Sequence, residues 1–268
     1  MPRRHCIVCH QDVEAWIPFM LKEEDISTFL RRVVITGSNI LRFECPNCHA
    51  IDRERHLMLF FQRLGIFENK MTGCEILHIA PEPVLTRYFE TLSPARHVRG
   101  DLLSTNPDVQ RMDIESLPFP AASFDLVVFN HVLEHVADFR KALHEVARVT
   151  KAGGRIICQT PFAAKMTTTL EDPLLQSAQD RLYFYAQDDH VRLFGLDIEQ
   201  FISDAGFSGR LIAHDELLPD IDPEAYGVNE LEPFFDFIKS DRRTWWPAWT
   251  RHYRRADAAR SSAIHRDV

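Results

Sequence analysis

Residues 124–130 read Phe-Asp-Leu-Val-Val-Phe-Asn, a nearly unbroken apolar run that ends on an amide side chain. Such a run is expected of a parallel strand whose two faces are both buried. In the segment that follows, 138–149, five apolar residues recur on one helical face, and Gly153 and Gly154 stand just beyond it. Because a second apolar run occupies 155–160, the three segments predict a β-α-β unit in a parallel sheet.

The same alternation of strands and helices extends in both directions from this unit. A helix over 52–65 is predicted by apolar side chains at i, i+3, i+4 and i+7, with Asp52 as its cap and Gly65 as its end. This alternation predicts an α/β protein with helices on both faces of a mostly parallel sheet. The other predicted elements are strands over 75–80, 97–101, 109–114 and 210–213 and helices over 84–92 and 197–205.

Polar residues stand where these strands end. Asp101 ends the second strand, Asp113 lies near the end of the third, and Asn130 and His131 follow the fourth. Ligands of open parallel sheets bind outside the carboxyl ends of the strands, and an acid after the second strand suits a ribose diol. We therefore expect an adenosine-containing cofactor across these ends. The alternative is that both acids only cap helices or turns.

A run of linked motifs follows the third predicted strand. The motifs are Leu-Pro-Phe-Pro at 117–120, Ser-Phe-Asp-Leu-Val at 123–127, His-Val-Leu-Glu-His-Val at 131–136, Arg148-Val149 and Gly153-Gly154. With them, about residues 75–215 resemble the type-11 branch of the class I S-adenosylmethionine-dependent methyltransferases. The resemblance implies a Rossmann-like class I fold with a seven-stranded sheet, S-adenosylmethionine as methyl donor and S-adenosylhomocysteine as product. It further implies that Asp101 with Leu102 contacts the ribose, Asp113 with Ile114 the adenine, and Asn130 with His131 the region of the reacting methyl group.

The first turn departs from the family pattern, which is glycine-rich in the form D-x-G-x-G. Here residues 78–83 read His-Ile-Ala-Pro-Glu-Pro, without a glycine. We expect Ala80, the only small residue, to make room for the cofactor beside His78, and Glu82 to hold the donor's ammonium group. The alternative is a loss of cofactor affinity. This variant turn, with the Cys-Pro-x-Cys and Asp-Arg-Glu-Arg-His segments before it, resembles one subgroup of the family.

Two Cys-x-x-Cys pairs, Cys6 with Cys9 and Cys45 with Cys48, are separated by 35 residues. Four thiolates from two such pairs can close a tetrahedral zinc site, which would be structural because it leaves no open position. A redox pair is the main alternative, although it needs only one Cys-x-x-Cys beside a strand–helix unit. We expect an N-terminal zinc-binding module.

Two histidines, His131 and His190, are the candidates for a catalytic base. The polar stretch around His190 suits recognition of a polar acceptor, and a solvated loop with local ion pairs is the alternative. Residues 131–135 also match the His-x-x-Glu-His pattern of inverted zinc metallopeptidases. Their place after a buried strand, among the methyltransferase motifs, disfavours that interpretation. The expected substrate contacts are Gln187, Asp189, His190 and Arg192.

The net charge of −8 is unevenly distributed. From Lys239 onward there are eight Lys or Arg against three Asp, so the rest of the chain is near −13. An acidic body disfavours nucleic acid as a general partner. The basic, tryptophan-rich stretch 242–255 is expected to be a packed arm, with an anionic acceptor, RNA or a membrane surface as alternatives. No stretch predicts a membrane span or a secretory signal, so we expect a cytoplasmic protein.

We expect three parts: a zinc module over 1–51, a methyltransferase domain over 52–216, and a C-terminal arm or lid over 217–268. The expected function is methyl transfer to an oxygen or nitrogen of a small polar acceptor, such as a glycan sugar or a secondary metabolite. One alternative is an RNA methyltransferase that holds RNA with the zinc module and the basic tail. Another is a non-catalytic protein that binds S-adenosylmethionine. A homodimer is left open.

Overall fold

The computed structural model describes residues 4–20, 25–67 and 72–240. The elements before residue 72 form the N-terminal module and the first long helix. They are β1 (Arg4–Cys6), β2 (Gln11–Val13), α1 (Thr28–Val33), β3 (Ile35–Thr36) and α2 (Asp52–Leu64). The stretch 242–255, for which a packed arm is predicted, lies outside the described residues.

The elements after residue 72 build the central sheet and its helices. They are β4 (Glu75–Ile79), α3 (Pro83–Thr91), β5 (Arg96–Asp101), β6 (Gln110–Arg111), β7 (Phe124–Val128), α4 (Phe139–Val149), β8 (Thr150–Ile157), β9 (Phe162–Ala163), α5 (Ala178–Tyr185), α6 (Ile198–Asp204), β10 (Phe207–Ile212), α7 (His214–Leu217), α8 (Pro223–Tyr226) and β11 (Phe234–Lys239). The central sheet has seven strands in the order β10-β11-β8-β7-β4-β5-β6.

The sheet is parallel except for β11, which runs antiparallel to both β10 and β8. Its strand order reverses at β4, which pairs with β5 on one side and β7 on the other. Side chains of β7 alternate between two cores: Leu126 and Val128 pack in the core that includes α2 and α3, while Val127 packs in the core that includes α4 and α6. The predicted Rossmann-like class I fold is therefore confirmed.

The helix over 138–149 is confirmed as α4, whose N-cap Asp138 accepts a hydrogen bond from the Lys141 amide. Helix α2 is confirmed with Gly65 in the left-handed conformation at its end, but its N-cap is Ile51 and not Asp52. Asp52 is fully buried and accepts instead from the Asn39 amide.

The expected division of the chain at residue 216 needs correction. Residues 234–239 form β11, which lies inside the central sheet, so this segment is part of the sheet domain and not an arm or lid. The predicted third strand is also shorter than expected. Only Gln110 and Arg111 pair with β5, because the chain turns away from the sheet edge after Met112.

The N-terminal module is joined to the sheet domain through Arg55, a fully buried residue of α2. Its guanidinium lies 4.2 Å from the Trp16 ring and donates hydrogen bonds to the carbonyls of Ala50 and Gly227. The Trp16 indole N–H donates to the Glu224 carbonyl at 3.1 Å. The module, α2 and the segment after α8 therefore form one packed unit.

A small hydrophobic cluster lies outside the central sheet. It combines α1 and α5 with the two-stranded sheet β3–β9 around Leu30, Tyr185 and Leu193. Ser27 donates to the Tyr183 carbonyl at 2.6 Å, which ties the N-terminal segment to α5. Among the described residues, no helix has the length and apolar character needed to cross a bilayer.

Candidate functional site

Two residues in the left-handed conformation begin the turns after β4 and β7. Ala80 has a φ of 49° and its amide donates to the Gly100 carbonyl at 2.8 Å. His131 has a φ of 53° and its amide donates to the Gln159 carbonyl at 2.7 Å. Non-glycine residues rarely adopt this conformation, and when they do it is commonly at functional sites. The glycine-free first turn thus keeps a backbone conformation that glycine would otherwise supply.

Replacing Ala80 with glycine is expected to change the free energy of unfolding by less than about 1 kcal/mol, because relief of left-handed strain offsets the added chain entropy. Ala142, buried inside α4, is the matched control, and its replacement by glycine should cost about 1 kcal/mol or more. Urea unfolding of both variants makes the comparison. Equal destabilisation of the two would contradict the strained turn.

Glu82 lies at the N-terminus of α3, next to the point where the strand order reverses. Its Oε2 is 2.7 Å from His78 Nε2, and its Oε1 accepts from Asn130 Nδ2 at 3.0 Å. The His78 side chain is fully buried, whereas that of Glu82 is 21% exposed. Burial acts to raise the pKa of Glu82, but His78 and Asn130 outweigh it and lower that pKa. A partly exposed, ionised carboxylate therefore lies just beyond the carboxyl end of β4, bonded to Asn130 just beyond the end of β7.

The two acids predicted to bind adenosine each close a turn. Asp101 Oδ1 accepts from the Leu103 and Ser104 amides at 2.6 and 2.7 Å, and Asp113 Oδ1 accepts from the Glu115 amide at 2.8 Å. The second oxygen of each carboxylate accepts no hydrogen bond from the described part of the chain. Beside them, Leu102 is 51% exposed and Ile114 is buried. Turn closure thus uses one oxygen of each carboxylate and leaves the second oxygen available to a ligand.

Arg53, in the first turn of α2, is a further candidate for the site, outside the residues predicted from the sequence. Its Nε is buried and makes no hydrogen bond within the described residues. Burial raises the pKa of the neighbouring Glu54, with Glu82 acting in the same direction and Arg53 opposing it. Arg53 therefore lies in the same electrostatic neighbourhood as Glu82. The only sequence signal for Arg53 is its place in the Asp-Arg-Glu-Arg-His segment. Helical periodicity alone places Arg53 on a polar face of the helix.

His131 follows β7 in the chain, and its side chain is 16% exposed. Its Nδ1 lies 3.5 Å from Glu134 Oε1, and Glu134 Oε2 accepts from the Thr160 hydroxyl at 2.9 Å. Burial would raise the pKa of Glu134, but the nearby His131 and His190 imidazoles lower it to about 2. Residues 131–136 form turns and not a helix, so the peptidase interpretation, which needs both histidines on one helical face, is wrong.

His190 is buried, with 1% of its surface exposed, and its Nδ1 lies 2.7 Å from the Tyr185 carbonyl. Burial lowers the pKa of His190, which favours the neutral imidazole. The predicted substrate contacts Gln187 and Asp189 are exposed, and Asp189 Oδ2 lies 3.3 Å from His135 Nδ1. Of these three predicted substrate contacts, His190 is therefore buried, whereas Gln187 and Asp189 are exposed.

Arg192, predicted as a substrate contact, is buried. It is 1% exposed, and its guanidinium donates to the carbonyls of Leu133 and Val136 at 2.6 Å and to Glu171 at 2.7 Å. A guanidinium whose donors are used in this way holds the 131–137 turn in place, and a contact with the substrate stays a prediction. The sequence pattern could not distinguish these roles, because both need an arginine in a polar loop.

The four cysteines of the N-terminal module converge. Cys6 Sγ lies 3.7 Å from Cys48 Sγ, and Cys9 Sγ lies 3.9 Å from Cys45 Sγ. Tetrahedral zinc with Zn–S bonds of about 2.3 Å places sulfurs about 3.8 Å apart, so the donor set fits zinc in both chemistry and spacing. The adjoining His49 is turned outward: its side chain is 73% exposed and its Nδ1 lies 2.6 Å from Glu44.

Comparison with known proteins agrees with this geometry. Residues 65–158 match a family model described as a methyltransferase domain. Over these residues, about a third of its length, the chain is similar to methyltransferase domains. An uncharacterised methyltransferase of Bacillus subtilis, YcgJ, is 35% identical over 112 residues, which are 42% of this chain and 40% of that protein. A demethylmenaquinone methyltransferase of Mycobacterium marinum is 40% identical over 68 residues, or 24% of this chain and 29% of that one.

The chain thus spans well under two thirds of these curated relatives. Two solved structures are also similar to the methyltransferase domain. The YcgJ structure from Bacillus subtilis has a TM-score of 0.43 at 20% identity, covering 67% of this chain and 99% of that one. An S-adenosylmethionine-dependent methyltransferase from Mesorhizobium loti has a TM-score of 0.45 at 14% identity, covering 67% and 96%.

Proposed function

We propose that the protein transfers a methyl group from S-adenosylmethionine to an oxygen or nitrogen of a small polar acceptor. The observation that carries this proposal is the Glu82 carboxylate, held by His78 and Asn130 where the strand order reverses. Ligands of this sheet type bind at that point. The domain match over 65–158 supports the same chemistry.

The amino-acid end of the donor would be held by opposite charges. Glu82 offers a carboxylate to its ammonium group, and Arg53 offers a guanidinium to its carboxylate. A guanidinium pairs well with carboxylates, and the N-terminus of α2 adds a favourable dipole. Asp101 would accept from the ribose hydroxyls and Asp113 from the adenine amine, each through its second oxygen. Bound there, S-adenosylmethionine supplies an activated methyl group for in-line displacement.

His131 is the better placed of the two candidate bases. Its side chain is 16% exposed, whereas His190 is buried and bonded to the Tyr185 carbonyl. His131 Nδ1 lies 3.5 Å from Glu134 Oε1, and in this position His131 can take up the proton that the acceptor loses. We propose His131 as the base and His190 as a positioning residue.

Calorimetric titration with S-adenosylmethionine and S-adenosylhomocysteine tests the cofactor part of this proposal. We expect one site per chain, with a Kd in or below the order of 100 μM. No binding at millimolar ligand would refute the enzyme. Binding without turnover on a panel of sugars, amines and phenols would favour the non-catalytic alternative. Salt-sensitive binding of RNA oligonucleotides would favour the RNA methyltransferase instead.

Replacing Arg53 with glutamine is expected to weaken S-adenosylmethionine binding by about 10- to 30-fold, since one charge-assisted contact contributes about 1.5–2 kcal/mol. The matched control is Arg63→Gln at the other end of α2, whose side chain is 36% exposed and pairs with Asp220. Calorimetry on both variants gives the comparison. If the two bind the donor equally well, Arg53 is not a ligand of its carboxylate.

A further inference from the structure

We infer that Glu134, His135 and His190 form a binding site for a divalent transition-metal ion, next to the proposed methyl-transfer site and separate from the four cysteines. Each of the three residues offers one ligand atom, and these atoms all lie within 4.8 Å of one another. Glu134 and His190 are each 1% exposed, while the His135 side chain is 34% exposed. The cluster thus has two buried ligands and one that reaches solvent.

His190 has the orientation of a metal ligand. Its Nδ1 lies 2.7 Å from the Tyr185 carbonyl, and only a protonated Nδ1 can donate to that oxygen. The neutral ring therefore carries its lone pair on Nε2, which is buried and has no hydrogen-bond partner among the described residues. Metal-bound histidines typically donate their second ring nitrogen to a backbone carbonyl in this way. An ion at Nε2 would remove the cost of this unsatisfied atom.

Glu134 supplies the negative charge of the site. Its Oε2 accepts from the Thr160 hydroxyl at 2.9 Å, but its Oε1 is buried and accepts no hydrogen bond from the described chain. Among the described residues, Glu134 Oε1, with His131 Nδ1 3.5 Å away, and His190 Nε2 therefore both lack a hydrogen-bond partner in the same cluster. A structure held only by hydrogen bonds would be expected to satisfy them.

The backbone around the cluster is fixed independently of any ion. The Val191 amide donates to the Glu134 carbonyl at 2.9 Å, and Arg192 donates to the carbonyls on either side of the 134–135 pair, Leu133 and Val136. These bonds hold the two loops that contribute the ligands against each other. Such support is what keeps a ligand set at coordination distance.

His135 and Asp189 form the exposed side of the cluster. The His135 and His190 rings meet edge to face, with centroids 4.6 Å apart, and Asp189 Oδ2 lies 3.3 Å from His135 Nδ1. Asp189 adds a second carboxylate where an ion would enter, which favours a cation. Two imidazoles and one carboxylate suit zinc, iron(II), cobalt(II) or manganese(II) and leave coordination positions open.

This metal site adds to the proposed function. Only the role of the ion in methyl transfer rests on that proposed function. An ion with open positions here could hold an oxygen of the acceptor beside His131, whose Nδ1 lies 3.5 Å from Glu134 Oε1. Metal binding itself is independent of methyl transfer. Cofactor titration of the same samples therefore separates the two ideas: a protein that binds this ion but not S-adenosylmethionine keeps the site and loses the function.

The test is the zinc content of the full chain after equilibrium dialysis at micromolar free zinc. We expect about two equivalents in the wild type, one from the four cysteines and one from this cluster. His135→Ala should lower the content to about one equivalent, and Glu134→Gln should bind the second ion at least about tenfold more weakly. His144→Ala, which removes an exposed histidine of α4, is the matched control and should retain both ions.

His135 reaches solvent, so its replacement should leave the fold intact, and circular dichroism with thermal unfolding checks this. In cobalt(II) dialysis, the cluster's ion should add visible absorption without thiolate charge-transfer bands, and His135→Ala should abolish that contribution. Equal zinc and cobalt content in the wild type, His135→Ala and Glu134→Gln would overturn the site.

Discussion

Glu82→Gln is expected to weaken S-adenosylmethionine binding by about 100-fold, which corresponds to about 2.7 kcal/mol. The glutamine side chain has the same shape but no charge for the donor's ammonium group. It also offers one acceptor oxygen where the carboxylate now faces both His78 Nε2 and Asn130 Nδ2. Losing one partner of a desolvated charge pair costs about 2–5 kcal/mol, so the estimate lies at the lower end of that range.

The matched control for this prediction is Glu90→Gln. Glu90 is on the same helix, α3, but its side chain is 56% exposed and lies 3.8 Å from Arg99. Calorimetry should find the affinity of Glu90→Gln within about twofold of the wild type, since an exposed pair contributes little. If Glu82→Gln binds the donor as well as Glu90→Gln does, Glu82 does not hold the ammonium group.

The pH dependence of binding gives a second readout on Glu82. Its neighbours lower the pKa of this carboxyl below the ordinary value of about 4.3, so it stays ionised as the pH falls from 7 to about 5. Wild-type affinity should therefore hold over that interval and decline only at more acidic pH. A loss of affinity centred near pH 6 would instead indicate a histidine.

The sequence predicted the sheet because its signals are local. The apolar run at 124–128 and the helix with its Asp138 cap need no distant partner to be recognised, and both appear in the structure as β7 and α4. The strand β11 was missed for the opposite reason. Its residues, Phe234–Lys239, pair with β8 and β10, and nothing near Pro233 in the chain indicates which strands it joins.

The site was only partly predictable for a related reason. Asp101, Asp113 and Asn130 were found because strand ends mark the binding edge of a parallel sheet. Arg53 was not predicted and the burial of Arg192 was not expected, because the environment of a charged side chain depends on packing from remote segments. Helix α2 shows this best: its apolar residues indicate one buried face, yet the N-terminal module and the segment after α8 also bury Arg55.

Cys48→Ser is expected to remove the zinc from the four-cysteine site and to destabilise the protein by several kcal/mol. Structural zinc contributes directly to folding free energy, with binding energies of about 10–16 kcal/mol in small zinc domains. The loss should spread beyond the module, because Trp16 and Ala50 contact Arg55 of α2. A loss of about 5 kcal/mol would lower the Tm by about 10–20 °C in a protein of this size.

Metal analysis and thermal unfolding check this prediction, with His49→Ala as the matched control. His49 is the residue next to Cys48, but its side chain is exposed and faces Glu44, so its removal should leave both the zinc and the Tm nearly unchanged. Because Arg53 is in the same helix as Arg55, Cys48→Ser should also weaken S-adenosylmethionine binding.

Retention of thiolate-bound metal by Cys48→Ser, judged from cobalt(II) charge-transfer absorption, would refute the four-cysteine site. An unchanged Tm after complete metal loss would instead show that the module does not stabilise the methyltransferase domain.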